Sequence, residues 1–347
     1  MSNEPKSHKR HPVYRKTDNK TEIDYTLTNG LNVVTYDLND QSQHRWHEAK
    51  TGSEQHDCRR IRSWLENVGG IPVRLTLFGT DESSDKLVVH FDDWARKNSL
   101  DNINAHVTID PKSHHLLVGQ MGRDGAGVLP REALLAFSKS GSFKSYGKVY
   151  AAAIEELVTQ YKHVTVQGTS IGGRFAISVV ANLSESIDRL QILDAPGDHY
   201  MSVPKFIRNF DFKEGKQSIK YSSNNPSELS IFRKVTTIFH RLRSGKDEPN
   251  TTKERLWYQG HASRKDRLFG DLAMALQNVK CVDVVTLEHS ALTDNTILRR
   301  NLGKFALESR CKNKITLSVI KNHTHAAIGT YRPQIEPIIF SHLKDDR

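Results

Sequence analysis

The stretch VTVQGTSIGG at residues 164–173, continued by RFAISVVANL at residues 174–183, decides the fold of this chain. Its first four residues, Val164–Gln167, are rich in β-branched side chains and predict a strand, whereas the apolar spacing of Gly172–Leu183 predicts a helix. Between them stands a Gly-x-Ser-x-Gly pattern with Ser170 at its centre. A serine in this setting occupies a sharp turn that exposes its hydroxyl. Ser170 is therefore the candidate nucleophile.

The glycines around Ser170 explain why this pattern suits a nucleophile. Strand and helix approach each other closely at such a turn, and Gly168 and Gly172 leave room for the two backbones. The turn also holds the hydroxyl at the positive N-terminal end of the following helix, where a developing oxyanion is stabilised. The competing interpretation is a glycine-rich turn whose serine has no function.

Strands and helices alternate on both sides of this turn. Short apolar runs predict strands at Leu75–Phe78, Lys86–Phe91, His115–Met121, Leu190–Leu193, Val282–Leu287 and Ile315–Ile320. Helical spacing predicts helices at Tyr146–Tyr161, Asn295–Ser309 and Gln334–Leu343. Repeated alternation is typical of an α/β fold with a mostly parallel central sheet and helices on both faces.

Three segments depart from this regular pattern. The tight-turn sequence Asn29-Gly30 predicts a small antiparallel pair within Glu22–Leu38. Arg59–Val68 predicts a short helix. Residues 199–278 contain no obvious buried strand, and the apolar spacing of Ser227–Leu242 predicts a helix there. We expect residues 199–278 to be an insertion that forms a helical lid over the sheet.

Composition bounds the organisation and the environment of the chain. Residues 1–21 are polar and basic and predict a disordered arm, which leaves residues 22–347 as one main domain. Lys and Arg number 50 against 40 Asp and Glu, and the net charge of +10 favours polyanionic partners without identifying one. No apolar run reaches the ~18–20 residues of a membrane span, and the start does not resemble an export leader. Three widely spaced cysteines fit neither a disulfide framework nor a zinc module, so we expect a cytoplasmic protein with no metal and no cofactor.

The GTSIGG turn and the alternation around it resemble the α/β-hydrolase superfamily, over roughly Leu75–Leu343. The resemblance implies a triad in the chain order nucleophile, acid, histidine, with the histidine after the last strand. Two histidines, His323 and His325, follow ITLSVI. We prefer His325, because it lies further past the strand and directly before small residues that would let its ring reach Ser170. His323 is the alternative, and a metal site on this pair has no third ligand at a suitable spacing.

The triad acid has two candidates after the strand VDVVTL. Asp294 lies in the loop where the superfamily places its acid, so it is preferred, and Glu288 at the end of the strand is the alternative. Asp294 also precedes a predicted helix, where an aspartate is an ordinary N-cap. Asp194 and Asp198, after the preceding strand, are weaker candidates.

The oxyanion hole requires two backbone donors. The resemblance implies the N–H of Ile171, directly after the serine, and the N–H of Asp92, in the loop after an early strand. That loop reads Asp92-Asp93, where many relatives have glycines. Two carboxylates beside a developing oxyanion would oppose it unless they point away, so this loop departs from the pattern of the superfamily.

These residues favour a serine-dependent acyl-ester hydrolase or O-acyltransferase that works through an acyl-enzyme. Its substrate is expected to be a small-molecule or glycan ester, and the net charge would suit an acidic one. Surface polysaccharide biosynthesis is a narrower option within this class. The alternative is a catalytically inactive binding module of the same fold whose basic face recruits a polyanion, although nucleic acid is not the expected partner.

Overall fold

The computed structural model describes residues 32–37, 60–79, 83–93, 106, 110–123, 125–184, 187–214, 250–308 and 314–325. Four predictions concern other parts of the chain. The basic arm at 1–21, the first part of the hairpin at 22–31 and the helices at 227–242 and 334–343 lie outside the described residues.

Nine strands of the described residues form one sheet. They are β1 (Asn32–Asp37), β2 (Arg60–Val68), β3 (Ile71–Gly79), β4 (Lys86–Phe91), β5 (His114–Val118), β6 (His163–Thr169), β7 (Ile187–Leu193), β8 (Val279–Leu287) and β9 (Lys314–Lys321). Their order across the sheet is β1-β9-β8-β7-β6-β4-β5-β3-β2. Only β3 runs against the other described strands, because its pairings with β2 and β5 are antiparallel and all the other pairings are parallel. The sheet is therefore mostly parallel, as the alternation predicts.

Helices occupy most of the described crossovers between these strands. They are α1 (Arg131–Ser140), α2 (Lys144–Val158), α3 (Ile171–Val180), α4 (Val203–Ile207), α5 (Asn250–Ser263), α6 (Leu268–Ala275) and α7 (Asn295–Glu308), and a π-helical segment spans Arg208–Lys213. Helix α3 packs against α2, α6, β6 and β7. Because α3 begins directly after Ser170, this packing fixes the position of the turn that carries the serine.

One prediction for the N-terminal part of the chain is wrong. Arg60–Val68 is not a helix but the edge strand β2, which joins β3 through a turn at Gly69 and Gly70 with φ angles of 56° and 86°. Pairing with the apolar strand β3 overrides the local helical pattern of β2. Residues 32–37 form β1, which pairs in parallel with β9. The antiparallel pair expected within Glu22–Leu38 stays a prediction, because its first strand lies outside the described residues.

The hydrophobic core lies between the sheet and α2, α3 and α6. Aromatic rings of Phe143, Tyr146, Tyr150 and Phe175 pack together there, each at most 1 % exposed, and Phe175 makes edge-to-face contacts with Phe143 and Tyr150. Leu268 and Leu272 of α6 belong to the same core cluster. Burial of each such side chain contributes about 1.5–3 kcal/mol. The end of the 199–278 segment is thus part of the core of the domain.

No helix in the described part of the chain combines the length and the apolar character needed to cross a membrane.

Candidate active site

Ser170 stands on the sharp turn that the sequence predicts, directly after β6 and directly before α3. Its backbone has φ 54° and ψ −124°, a conformation that non-glycine residues rarely adopt. A side chain at Gly172 would collide with the carbonyl oxygen of Phe91, and one at Gly168 would collide with the carbonyl oxygen of Gly172. The glycines are therefore required because backbone packs directly on backbone around the serine.

Strained backbone occurs directly after three strands of the sheet, at their carboxyl ends. Among the described residues, the non-glycine residues with positive φ are Ser170 at 54°, Asp194 at 45° and Asn322 at 58°. Ser170 directly follows β6, Asp194 directly follows β7, and Asn322 directly follows β9. Each such conformation costs on the order of 1–3 kcal/mol and persists only where the surrounding structure imposes it. The strain is concentrated where side chains from three strands meet.

A continuous chain of hydrogen bonds joins Ser170, His325 and Asp194. The Oγ of Ser170 lies 3.0 Å from Nε2 of His325, and Nδ1 of the same ring lies 2.6 Å from Oδ2 of Asp194. Because the carboxylate can only accept, Nδ1 carries the proton of the neutral ring and Nε2 presents a lone pair to the serine hydroxyl. This is the geometry in which an imidazole removes a proton from a serine.

Asp194 is buried and surrounded by hydroxyl groups. It is 1 % exposed, and its Oδ1 accepts from Thr286 Oγ1 at 3.0 Å and from Thr293 Oγ1 at 2.7 Å. Its Oδ2 accepts from Ser290 Oγ at 2.7 Å in addition to His325. Burial alone would raise the pKa of Asp194, but the hydrogen bonds and charge of His325, together with Ser290 and Thr293, outweigh it and lower the pKa. Asp194 is thus held as a carboxylate.

The imidazole of His325 experiences the opposite balance. Burial alone would lower its pKa, but the hydrogen bond to Asp194 and the negative charges of Asp194, Glu214 and Asp93 outweigh it, so the pKa of His325 is raised. A raised pKa means that the site favours the imidazolium form, the form that an imidazole takes when it accepts a proton.

The structure places Asp194, not Asp294, on the far side of the imidazole. Asp294 instead caps helix α7, since its Oδ1 accepts from the backbone N–H groups of Thr296 at 2.9 Å and Ile297 at 3.1 Å. Its carboxylate therefore stabilises the start of a helix, which is the competing interpretation that its sequence position allowed. The expectation that Asp294 orients the histidine is wrong.

Asp198 also lies in the loop after β7, and it holds that loop in place. It is 3 % exposed, and its Oδ2 accepts from the backbone N–H of Asp294 at 2.6 Å while its Oδ1 accepts from His199 Nδ1 at 2.9 Å. Burial raises the pKa of Asp198, and its partners oppose that rise only in part. Asp198 thus joins the two loops that follow β7 and β8.

His323, the alternative base, and Glu288, the alternative acid, have structural contacts elsewhere. The ring of His323 donates from Nδ1 to the carbonyl oxygen of Lys321 at 2.7 Å. Glu288 Oε2 accepts from the backbone N–H of Asn322 at 2.9 Å and so binds the strand end that leads to the histidines. Neither residue is placed beside Ser170 by its described contacts.

The predicted oxyanion donors belong to segments that touch. Ile171 is the first residue of α3, and the first N–H groups of a helix have no partner within it. The backbone of Phe91 and Asp92 packs against Gly172 at that same helix end. The side chain of Gln120 donates to the carbonyl oxygens of Asp92 at 2.9 Å and Asp93 at 2.6 Å, which fixes the loop. The roles of Ile171 and Asp92 remain predictions that this packing makes sterically reasonable.

A buried ion pair joins α3, the helix that follows Ser170, to α6. Arg174 on α3 is 0 % exposed and donates from Nη2 to Asp271 Oδ2 on α6 at 2.9 Å. The same guanidinium donates to the carbonyl oxygens of Gly141 at 2.9 Å and Pro196 at 3.3 Å. Burial lowers the pKa of Arg174, although Asp271 counteracts this. Because Pro196 lies two residues after Asp194, the ion pair joins the helix of the serine to the loop of the acid.

Sequence reasoning therefore ranked Asp194 below Asp294 and Glu288 as the partner of the histidine, and it missed the supporting residues Ser290, Thr293 and Arg174. One available signal was position, because Asp194 immediately follows a buried strand, as Ser170 does. The hydroxyl donors carry no comparable signal, since serine and threonine are ordinary in any loop.

Solved structures of other proteins share this architecture. An α/β-hydrolase enzyme, MGS-M2, from a Medee basin deep-sea metagenome library aligns with a TM-score of 0.53 at 11 % identity, over 81 % of this chain and 97 % of that one. A bromoperoxidase from Bacillus anthracis aligns with a TM-score of 0.51 at 13 % identity, over 82 % of this chain and 100 % of its own. Searches with models of protein families and against curated protein sequences gave no match.

The sheet order, the serine turn and these alignments define one class of fold. The chain has the α/β-hydrolase fold. Identities this low establish the fold alone, so the reaction has to be argued from the site.

Proposed function

We propose that this protein is a serine hydrolase that cleaves acyl esters through an acyl-enzyme. The observation that carries the proposal is the hydrogen-bonded chain from Ser170 Oγ through His325 to Asp194. Nucleophile, base and orienting acid are then supplied by the ends of β6, β9 and β7. Such a chain makes a serine hydroxyl reactive at neutral pH, because the imidazole accepts its proton as the bond to carbon forms.

The chemistry proceeds in two steps of proton and acyl transfer. Ser170 Oγ attacks the ester carbonyl carbon while its proton passes to His325 Nε2, and the carbonyl electrons move onto oxygen. The intermediate collapses when the bond to the leaving alcohol breaks and His325 returns the proton to that oxygen. Water then attacks the acyl-enzyme, gives its proton to His325, and Ser170 is released with that proton as the carboxylic acid forms. An alcohol in place of water would make the same acyl-enzyme an O-acyltransferase.

Stabilisation of the oxyanion is assigned in this proposal to the N–H groups of Ile171 and Asp92. Contact between the start of α3 and the backbone of Asp92 supports it, because both segments border Ser170. The hydrogen bonds from Gln120 to the carbonyl oxygens of Asp92 and Asp93 support this assignment further, since those oxygens are turned toward an amide rather than toward the reacting carbonyl.

Charge around the imidazole favours a neutral ester over the acidic substrate that the net charge suggested. Asp93 and Glu214 both act on His325 as negative charges, in addition to Asp194. An anionic group on the substrate near the histidine would be repelled by them. The positive net charge of the chain and the negative charges around the histidine are thus opposite in sign.

A fluorophosphonate probe tests the proposal. Its phosphorus forms a bond with the serine oxygen and fluoride leaves, so labelling reports an activated serine without knowledge of the substrate. We expect the wild type and Ser140→Ala, a change on α1, to be labelled, with the adduct on the peptide that contains Ser170. Ser170→Ala should remain unlabelled. A folded wild type that is not labelled would favour the inactive binding module.

A further inference from the structure

Glu214 is a buried carboxylate beside the site, and it binds the loop that follows β8. It follows the π-helical segment Arg208–Lys213 and is 4 % exposed. Its Oε2 accepts from the backbone N–H of Ala291 at 3.0 Å. This contact ties a buried carboxylate to the loop that follows β8.

Asn209 of the π-helical segment and Glu214 directly after it bind both polar backbone groups of Ala291. Asn209, which is 5 % exposed, donates from Nδ2 to the carbonyl oxygen of Ala291 at 3.0 Å, while Glu214 accepts from its N–H. The two side chains are five residues apart, which is the hydrogen-bond spacing of a π-helix, a rare form often found at functional sites. The wider turn therefore brings both side chains to one residue of the loop after β8.

Ala291 lies next to the residues that hold the acid. Ser290 donates to Asp194 Oδ2 at 2.7 Å and Thr293 donates to Oδ1 at 2.7 Å. The oxygen bound by Ser290 is the one that accepts from His325. Glu214 is thus connected to the histidine through Ala291, Ser290 and Asp194.

We propose that Glu214 is a positioning residue of this site, which fixes the loop that orients Asp194 and supplies negative charge that favours the imidazolium of His325. The inference rests on the proposed function, because it assigns to Glu214 a part in activating Ser170. It follows from the hydrogen bonds to Ala291 and from the burial of the carboxylate.

Electrostatics supports the second half of this role. Three carboxylates that act strongly on His325 come from three elements: Asp194 after β7, Glu214 after the π-helical segment and Asp93 after β4. All three raise the pKa of His325 against the effect of burial, which lowers it. His325 must become positively charged when Ser170 attacks, so a fixed negative charge stabilises the transition state.

Glu214→Gln separates charge from shape. The amide keeps the size of the side chain and an oxygen that accepts from Ala291, but it removes the charge. We expect the titration midpoint of His325, followed by NMR of the imidazole with His325→Ala as the assignment control, to move to lower pH. The acid limb of the fluorophosphonate labelling rate should move in the same direction, because less imidazolium is then present at a given pH.

Two variants serve as matched comparisons. Glu132→Gln removes an exposed carboxylate from α1, and it should leave the midpoint of His325 unchanged. Glu214→Ala loses the acceptor as well as the charge, so its labelling should be slower than that of Glu214→Gln by up to about tenfold, the effect of one neutral hydrogen bond.

The outcomes separate this inference from the proposed function. If the midpoint of His325 is the same in Glu214→Gln, Glu132→Gln and the wild type, the role assigned to the charge of Glu214 is overturned even when Ser170 is labelled. If the midpoint falls but the wild type is not labelled, Glu214 acts on His325 as inferred and the hydrolase proposal fails. If Glu214→Ala labels as fast as Glu214→Gln, the anchoring role is overturned.

Discussion

Two neighbouring loops at the carboxyl ends of β7 and β8 each carry an aspartate, and the two aspartates have different contacts. After β7, Asp194 is the first residue beyond the strand and its φ is 45°, which turns its carboxylate toward His325. After β8, Asp294 lies directly before α7 and its Oδ1 is occupied by two backbone N–H groups of that helix. Both residues are aspartates, so the backbone conformation after the strand, rather than residue type, decides which carboxylate reaches the imidazole.

The loop after β8 nevertheless takes part in the site. It supplies the hydroxyl groups of Ser290 and Thr293 to the two oxygens of Asp194. One loop therefore provides the carboxylate and the other provides its donors. This division gives the acid a fixed orientation, because four side-chain donors surround a single buried group.

The largest effect on the labelling rate is expected at His325, which accepts support from both loops through Asp194. His325→Ala should lower the rate of fluorophosphonate labelling by at least about 10⁴-fold, because triad members act as a unit. His323→Asn is the matched control, since it keeps a side-chain donor for the carbonyl oxygen of Lys321 while the ring is lost. Comparable losses in both variants would mean that the two histidines are not distinguished as the structure indicates.

The support of the Asp194 loop is expected to give the next largest effect. Arg174→Met leaves Asp271 buried without its cation and should lower the free energy of unfolding by about 3–5 kcal/mol, measured by urea denaturation. Adding Asp271→Leu should recover much of that loss, because the double variant buries no unpaired charge. A double variant as unstable as Arg174→Met would show that packing, not the unpaired carboxylate, is responsible.

How far the sequence predicts this molecule depends on whether a feature is local. The serine turn, its strand and its helix were predictable because glycine spacing and apolar periodicity act over a few residues. The predicted strands that correspond to β4–β9 are confirmed, and they were predictable for the same reason. The residues that hold the site together were not predictable, because Ser290 and Thr293 meet Asp194 only after β7 and β8 pair.

The edge of the sheet shows a second limit of local reasoning. Arg60–Val68 forms β2 because it pairs with β3 along its whole length, and its own pattern favoured a helix. Its side chains Ile61 and Leu65 remain 43 % and 45 % exposed, so burial provides only a weak strand signal there. Asp294 presented a different difficulty, because its position suits both a helix cap and a triad acid.

The donors from the loop after β8 should have a smaller effect than either of the changes above. Thr293→Val removes one donor to Asp194 while it keeps the shape of the side chain, and labelling should slow by about tenfold, the effect of one hydrogen bond to a charged group. Thr296→Val, at an exposed position of α7, is the control. Equal labelling of the two variants would show that the orientation of Asp194 does not depend on this loop.

The smallest effect is expected at the cap of α7. Asp294→Ala should lower the free energy of unfolding by about 1 kcal/mol, the usual contribution of an N-cap, and leave the labelling rate within about twofold. Asp294→Ser should restore most of the stability, because serine also caps helices. A large loss of labelling with unchanged stability would assign Asp294 a role at the site that its contacts do not show.

The rates of fluorophosphonate labelling at Ser170 in Asp194→Asn and Asp294→Asn show which aspartate orients His325. Both changes keep the size of the side chain and remove one negative charge. We predict that Asp194→Asn lowers the rate by about 10³–10⁴-fold, because the imidazole loses its orienting carboxylate, and that Asp294→Asn changes it by less than about threefold. Equal rates in the two variants, or a larger loss in Asp294→Asn, would contradict the assignment of the acid to the loop after β7.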